Sequence, residues 1–311
     1  MAALLIEHDA CVERRDADGQ SSVYHAVTSG SVDTLDLLIA HGANPDQQRT
    51  DDGTPLHQAL HDHSLDIVEL LLMSDVNVNV TDSENEAPLH IAAAMSPNHV
   101  VSALLKLGAD VTVKNRNGRT PLHASIENPN AEVTKLLVTS GGELEARDCD
   151  HNSALHLAVK SDSYDHVTVL LTAGADIDAT NAAGDTPLHL AAASKETDVL
   201  ELLIADEADM NLQNGRGESP LLVALIHSNI EAASILLDQG ASVDIADNDG
   251  ETALHKAVRM RNARSSFLLN LVQRGLSVDS KNKHGATPLD TVKGVSKQIK
   301  LDLLQALGIE S

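Results

Sequence analysis

Aromatic side chains are nearly missing from this sequence: there is no Trp, and Tyr24, Tyr164 and Phe267 are the whole complement. The large rings that usually fill a thick globular core and anchor interfaces are therefore not available. The apolar share of 42% is mostly Ala, Leu, Val and Ile, which suits thin layers of small helices. Cysteine is as scarce. Cys11 and Cys149 show neither the CxxC spacing of a zinc or redox site nor the dense, even pattern of a secreted disulfide scaffold. They read as reduced thiols of an intracellular protein, with the cytoplasm ahead of the nucleus. No run approaches the ~20 apolar residues of a membrane span. The opening MAALLIEHDACVERRD has no basic start, and Glu7 and Asp9 cut its apolar run, so it is not a signal peptide and no membrane insertion is expected.

Positive charge is also in short supply. The formal net charge is −24; residues 1–250 hold 41 acidic and 12 basic side chains, and residues 251–311 hold 5 acidic and 10 basic. A body so acidic repels a phosphate backbone and argues against nucleic-acid binding. Phosphate loops, dinucleotide fingerprints, HExxH and GxSxG elbows are all absent from the sequence, so neither catalysis nor a cofactor is expected.

What the chain does have is a period. The tetrapeptide TPLH at Thr54, Thr120 and Thr186 sets a register that continues through Ser21, Ala87, Ser153, Ser219 and Thr252 at intervals of 33 residues, then reaches Thr287 after 35. Sixteen residues past the anchor a paired apolar step recurs, as in Leu37-Leu38, Leu70-Leu71, Leu136-Leu137, Leu202-Leu203 and Leu303-Leu304. Five residues further a Gly often follows: Gly42, Gly108, Gly141, Gly174, Gly240 and Gly308.

Each recurring residue has a physical role. The Thr or Ser is a helix N-cap, and the Pro after it (Pro55, Pro88, Pro121, Pro187, Pro220, Pro288) takes the first helical position, where a missing N–H costs nothing. Small residues such as Ala191 to Ala193 let helices approach, and the Gly closes a second helix with a left-handed cap. Two residues before the anchor stand Gly19, Asp52, Asn85, Gly118, His151, Gly184, Gly217, Gly250 and Gly285. These residue types tolerate positive φ and predict a tight turn at the tip of a finger joining neighbouring repeats. In the second repeat Gly53 comes one place late, which predicts a local distortion.

The 33-residue helix-turn-helix-loop unit and its T-P-L-H-x-A core resemble the ankyrin repeat. The resemblance covers essentially the whole chain, with local departures at SSVYHA, APLHIA, SALHLA and SPLLVA. It implies an all-α ankyrin-repeat solenoid whose finger tips and first helices line a concave groove that binds proteins. The register divides the chain into a partial repeat at 1–15, repeats at 16–48, 49–81, 82–114, 115–147, 148–180, 181–213, 214–246 and 247–281, and a capping repeat at 282–311. Leu4, Leu5 and Ala10 align with the end of a repeat whose first helix is missing, which suggests a piece of a longer protein. Lys293, Lys297 and Lys300 suit a polar C-terminal cap.

Most chemistry-bearing residues fall into structural slots. By the family resemblance His57, His90, His123, His156, His189 and His255, the fourth place of the motif, are rings that hydrogen-bond within and between repeats. His57, His61 and His63 form a tight cluster in which His57 and His61 are spaced like zinc ligands on one helix face, but His57 is taken by its motif and no Cys or third helical ligand stands nearby, so no metal is expected. Asp16, Asp82, Asp148 and Asp247 alternate with Asn115, Asn181, Asn214 and Asn282 five residues before the anchor, as Asx turns require.

Recognition is expected where the repeats differ. By the same resemblance the partner-facing positions lie four, three and one residues before the anchor, and seven and eight after it. They give His61, Asp62, Ala94, Met95, Arg116, Asn117, Arg119, Glu127, Asn128, Asn152, Lys160, Asp185, Arg216, Glu218, Ile226, His227, Asp249, Glu251, Arg259 and Met260. Lys114, Arg116 and Arg119 make a basic finger that either suits an acidic or C-terminal-carboxylate peptide or is a charge-balanced, solvated finger. Arg259, Arg261 and Arg264 surround the two-residue insertion of the eighth repeat, a surface loop that is either a further partner contact or tolerated loop growth. The function that follows is a scaffold, monomeric in isolation, holding an extended or helical segment of another protein. The alternative is the targeting arm of a larger enzyme or channel.

Overall fold

The computed structural model describes residues 8, 11–17, 19–47, 53–260 and 265–291. They fall into two units divided between Cys149 and Asp150. In the first, α1 (Ser22–Thr28), α3 (Pro55–His61), α5 (Pro88–Met95) and α7 (Pro121–Ala124) are the first helices of successive pairs. The second helices are α2 (Val32–Ala40), α4 (Leu65–Leu72), α6 (Asn98–Lys106) and α8 (Ala131–Thr139). In the second unit the first helices are α9 (Ala154–Lys160), α11 (Pro187–Ala193), α13 (Pro220–Ile226) and α15 (Ala253–Ala257). Their partners are α10 (Tyr164–Thr172), α12 (Asp198–Ala205), α14 (Ile230–Asp238) and α16 (Ser265–Gln273). Within each unit the odd-numbered helices stack on one another and the even-numbered ones lie beside them.

Helices of four to nine residues do not persist alone in water, so packing holds them. The packing is columnar. Leu56, Leu89 and Leu122 in the first unit, and Leu155, Leu188, Leu221 and Leu254 in the second, sit two residues past the anchor and are all buried. Second-helix residues Leu71, Leu104 and Leu137, and Leu170, Leu203 and Leu236, form a parallel buried column in their respective units. Each such side chain contributes roughly 1.5–3 kcal/mol on leaving water. Ala59, Ala92, Ala158, Ala191, Ala224 and Ala257 are buried where first helices meet, and a larger group would force them apart. Repeat four has Ser125 at this position. Its hydroxyl donates to the Leu122 carbonyl at 2.8 Å and lies 2.8 Å from the buried Thr134 Oγ1. There α7 tightens into a 3-10 turn over Ser125–Glu127.

The backbone follows the expected turns. Asn85 (φ 61°), His151 (φ 59°) and Gly184 (φ 79°) all carry the left-handed conformation at the finger tip. In the second repeat the left-handed residue is Gly53 (φ 79°), one place late; Asp52 lies outside the described residues. Gly184 is fixed by space as well as by φ, because a Cβ there would stand 2.5 Å from the backbone nitrogen of Gly215. Leu4, Leu5, Ala10, the lysines at 293, 297 and 300, Leu303, Leu304 and Gly308 lie outside the described residues, as do Arg261 and Arg264.

The motif histidines tie repeat to repeat. His57 Nδ1 accepts from the Thr54 N–H at 3.1 Å and faces the Thr54 hydroxyl at 2.8 Å, while Nε2 donates to the Glu86 carbonyl at 3.0 Å. One nitrogen accepts and the other donates, which fixes the neutral Nε2–H form. His90, His156, His189 and His255 repeat the bridge to the carbonyls of Arg119, Asp185, Glu218 and Ala286. Burial holds His57, His90 and His189 below the ordinary imidazole range, although the carbonyl each one meets pulls the other way.

This has a pH consequence. Below about pH 6.5 the unfolded chain takes up protons on these rings that the folded chain refuses, so stability is complete above that value and falls as acid is added. The urea midpoint followed by far-ultraviolet circular dichroism is expected to hold nearly level from pH 7.5 to about pH 6.5 and to drop below that. A flat profile would show that the rings are protonated in the folded chain.

Candidate protein interface

Most of the described fingers are closed by an Asx turn. Asn115 Oδ1 accepts from the N–H groups of Asn117 and Arg119, both at 3.0 Å, and Asp82, Asn181, Asn214, Asp247 and Asn282 do the same in their own fingers. Single backbone bonds join neighbouring fingers edge to edge, from Arg116 N–H to Glu84 O in the first unit and from Gly215 N–H to Ala183 O in the second, each 2.9 Å.

The alternation of Asp and Asn in these turns has a cause that the turn alone does not supply. Asn115 Nδ2 donates to Glu86 Oε1 at 3.0 Å, and Asn214 Nδ2 to Asp185 Oδ1 at 2.7 Å. At these two turns the amide faces an acceptor of the preceding finger. Asp148 and Asp247 appear instead beside cations, 3.9 Å from Arg119 Nε and 2.6 Å from Lys256 Nζ.

The predicted recognition residues divide by what the chain itself does with them. His61 and Asp62 end α3 exposed, with Asp62 accepting from Gln58 at 2.8 Å. Met95 ends α5 with 43% of its surface open, beside a half-buried Ala94. In the second unit Lys160, Arg216, Ile226, His227, Asp249 and Arg259 are exposed, and Asn152 and Asp185 are half-buried. Ile226 is 40% open.

Four of the predicted contacts are buried, which corrects the expectation that they face a partner: Asn128, Glu218, Glu251 and Met260. Asn128 is spent inside its unit, donating from Nδ2 to the carbonyls of Ala93 and Ser96, both at 3.0 Å. Glu218 accepts from Asn214 at 3.1 Å. Glu251 belongs to a cluster in which Lys256 Nζ reaches Glu251 at 2.8 Å and Asp247 at 2.6 Å, and Arg259 pairs with Glu251 as well. Burial alone would raise the Glu251 carboxyl, but the hydrogen bonds and charges of Arg259 and Lys256 prevail and hold it at about 2. Lys256 stays above its usual range despite the cost of burial, because Asp247 and Glu251 both face it.

The basic finger is answered from within the first unit. Arg116 meets Glu84 at 3.2 Å, Arg119 meets Glu127 at 3.2 Å with Asp148 behind it, and Lys114 donates to the Arg147 carbonyl at 3.3 Å. Asn117 stays exposed and uses its carbonyl to accept from the Cys149 N–H at 2.9 Å. The finger is a charge-balanced structure, not an open cationic patch.

Sequence reasoning passed over a depression of about 530 Å³ in the second unit. Lys160 and Asn152 line it together with Asp150, Asn181, Leu190 and the small residues Ala182, Ala183 and Ala193. The signal was available, because the three alanines occupy partner-facing register positions that hold Gly215, Arg216 and Ile226 one repeat later. Among the described residues no group of three or more His, Cys, Asp or Glu side chains could hold a metal ion, and no helix is long and apolar enough to cross a membrane.

Comparison with known proteins agrees with this architecture. No curated protein matches the chain. Among solved structures the chain is similar to the ankyrin repeat domain of Bcl-3, described as a unique member of the IkappaB protein family. The two are 30% identical with a TM-score of 0.62, over 71% of this chain and 99% of that one. The family model for ankyrin repeats in three copies matches residues 41–115, 89–181 and 188–282. With matches over most of its length, and with capped helix pairs and bridging histidines recurring at the same register, the chain belongs to the ankyrin repeat family.

Proposed function

We propose that this chain is a protein-interaction scaffold that holds an extended or helical segment of a partner against its finger residues and the ends of its first helices. Ankyrin repeats generally mediate protein–protein interaction. The observation that carries the reading is what these helix ends leave open. Met95 and Ile226 are large apolar side chains exposed at partner-facing positions, in a chain that buries its Leu and Ala columns almost completely. With no Trp and few Tyr, such side chains are the anchors available to an interface. The contact set we propose is His61, Asp62, Met95, Asn117, Lys160, Asp185, Arg216, Ile226, His227 and Arg259, within the repeat boundaries set out above. The basic finger joins it only if a partner displaces Glu84 or Glu127. We place the protein inside the cell, the cytoplasm first, and the exposed free thiols of Cys11 and Cys149 support that.

Proximity labelling in cells tests the proposal with the native chain and with Met95→Asp and Ile226→Asp variants. Reproducible neighbours are expected for the native chain. Each variant should lose a subset of them by about tenfold, in line with the loss of an apolar anchor, while its circular-dichroism melt is unchanged. Recovery of nothing above background with the native chain would leave a passive spacer as the better reading.

A further inference from the structure

Most cations near the candidate surface are already matched by the chain itself. Arg116, Arg119, Lys256 and Arg259 each lie against a carboxylate of their own unit. Lys160 is different. It ends α9 exposed, on the lining of the depression in the second unit, and no carboxylate among the described residues reaches its ammonium.

The depression has a shape that follows from its residues. Its volume exists because the sixth repeat places Ala182, Ala183 and Ala193 where larger side chains would fill it, and Leu190 adds an apolar wall. Asn181 Nδ2 donates to Asn152 Oδ1 at 3.2 Å, so these two lining amides are partly held by each other. Asp150 is the acidic member of the lining. About 530 Å³ accommodates one or two aliphatic side chains of a peptide, with a cation at one place on the wall and a carboxylate at another.

We infer that this depression takes an aliphatic side chain of a partner segment together with a single neighbouring carboxylate, which Lys160 receives. The inference rests on the interaction role proposed above and specifies its chemistry for the second unit. A polyacidic tract does not fit, because Asp150 shares the lining and the chain as a whole carries −24. A single acidic residue beside Leu, Ile or Val does. It gains a short-range charge-assisted bond and gives the alanine floor something to cover.

The test is selection of a random peptide library displayed on phage against the immobilised full chain, followed by affinity measurements on the synthesised winners. The native chain is expected to enrich peptides with one Asp or Glu adjacent to an aliphatic residue. These should bind Lys160→Glu on the order of tenfold more weakly. Lys160→Arg should retain most of the affinity. Ala183→Trp, which occupies the depression from its rim, should weaken binding independently of charge. Winners without acidic enrichment, or winners bound equally well by Lys160→Glu, would overturn the inference. If those winners still weaken with Ile226→Asp, the broader interaction reading stands and only the carboxylate pairing fails. If the native chain retains no peptide at all, both fall.

Discussion

Replacing Lys256 with methionine is expected to be among the most damaging single changes in the second unit, costing about 3–5 kcal/mol. The ammonium lies 2.6 Å from Asp247 and 2.8 Å from Glu251, and all three side chains are largely withdrawn from water. Methionine preserves the stem's volume but leaves two carboxylates facing each other, with Arg259 answering only Glu251. Asp247 also closes the Asx turn of its finger through the N–H groups of Asp249 and Glu251, so the loss reaches the backbone. The urea transition should shift to lower denaturant, and amide exchange should accelerate in α15 before it does in α9. The triple variant Lys256→Met, Asp247→Asn, Glu251→Gln removes the charges together and should recover most of the loss. If Lys256→Met alone proves neutral, the cluster is hydrated and contributes little.

His189→Ala should be nearly as costly. Three groups depend on this ring: the Thr186 N–H at 3.1 Å, the Thr186 hydroxyl at 2.8 Å and the Glu218 carbonyl at 2.9 Å. Truncation leaves buried polar atoms unmatched, at about 1–3 kcal/mol apiece where water cannot reach them, and opens a cavity as well. A loss of about 3 kcal/mol is expected, concentrated at the junction between the sixth and seventh repeats. Because repeat arrays are stabilised by nearest-neighbour interfaces, one weakened junction should also broaden the unfolding transition. The seventh repeat supplies a natural comparison. Leu222 stands at the histidine position and is buried without any such bridge, and its N-cap Ser219 accepts from the Leu222 N–H at 3.4 Å. Leu222→Ala should therefore lower the midpoint without the broadening.

The fold could be read before the structure because its determinants are local and periodic. The N-cap, the proline at the first helical position, the left-handed turn residue and the alternating Asp or Asn all act within a few residues of themselves. The bridge from His57 to Glu86 could be anticipated because the family resemblance supplies a stereotyped partner one repeat away. The candidate site was less legible. Register offsets identify positions that point toward a partner, but not whether the chain uses the side chain first. Asn128 satisfies two carbonyls about a repeat earlier, and Glu251 is held by cations that follow it, so neither is open. The partners that balance the basic finger could not be named from the sequence, because Glu84 is 32 residues from Arg116 and adjacent only after stacking. The depression beside Lys160 was missed for another reason: its signal is three alanines at partner-facing register positions, and a small side chain there marks space and not a contact.

The amide-or-acid choice at the finger turns also bears on how such a chain can be rearranged. Asn115 presents N–H groups to the carboxylate of the finger before it, whereas Asp148 presents a carboxylate to the guanidinium of Arg119. These two repeats are thus not interchangeable bricks, because each carries a polarity that its predecessor complements. A tandem copy of the repeat 115–147 would set the Asn115 amide of the second copy against the Arg119 guanidinium of the first, donor against donor, although both copies match the same family pattern. Shuffled or duplicated versions of this array should lose stability where a junction sets donor against donor. The order of the repeats is itself a piece of encoded information, held in one atom per turn.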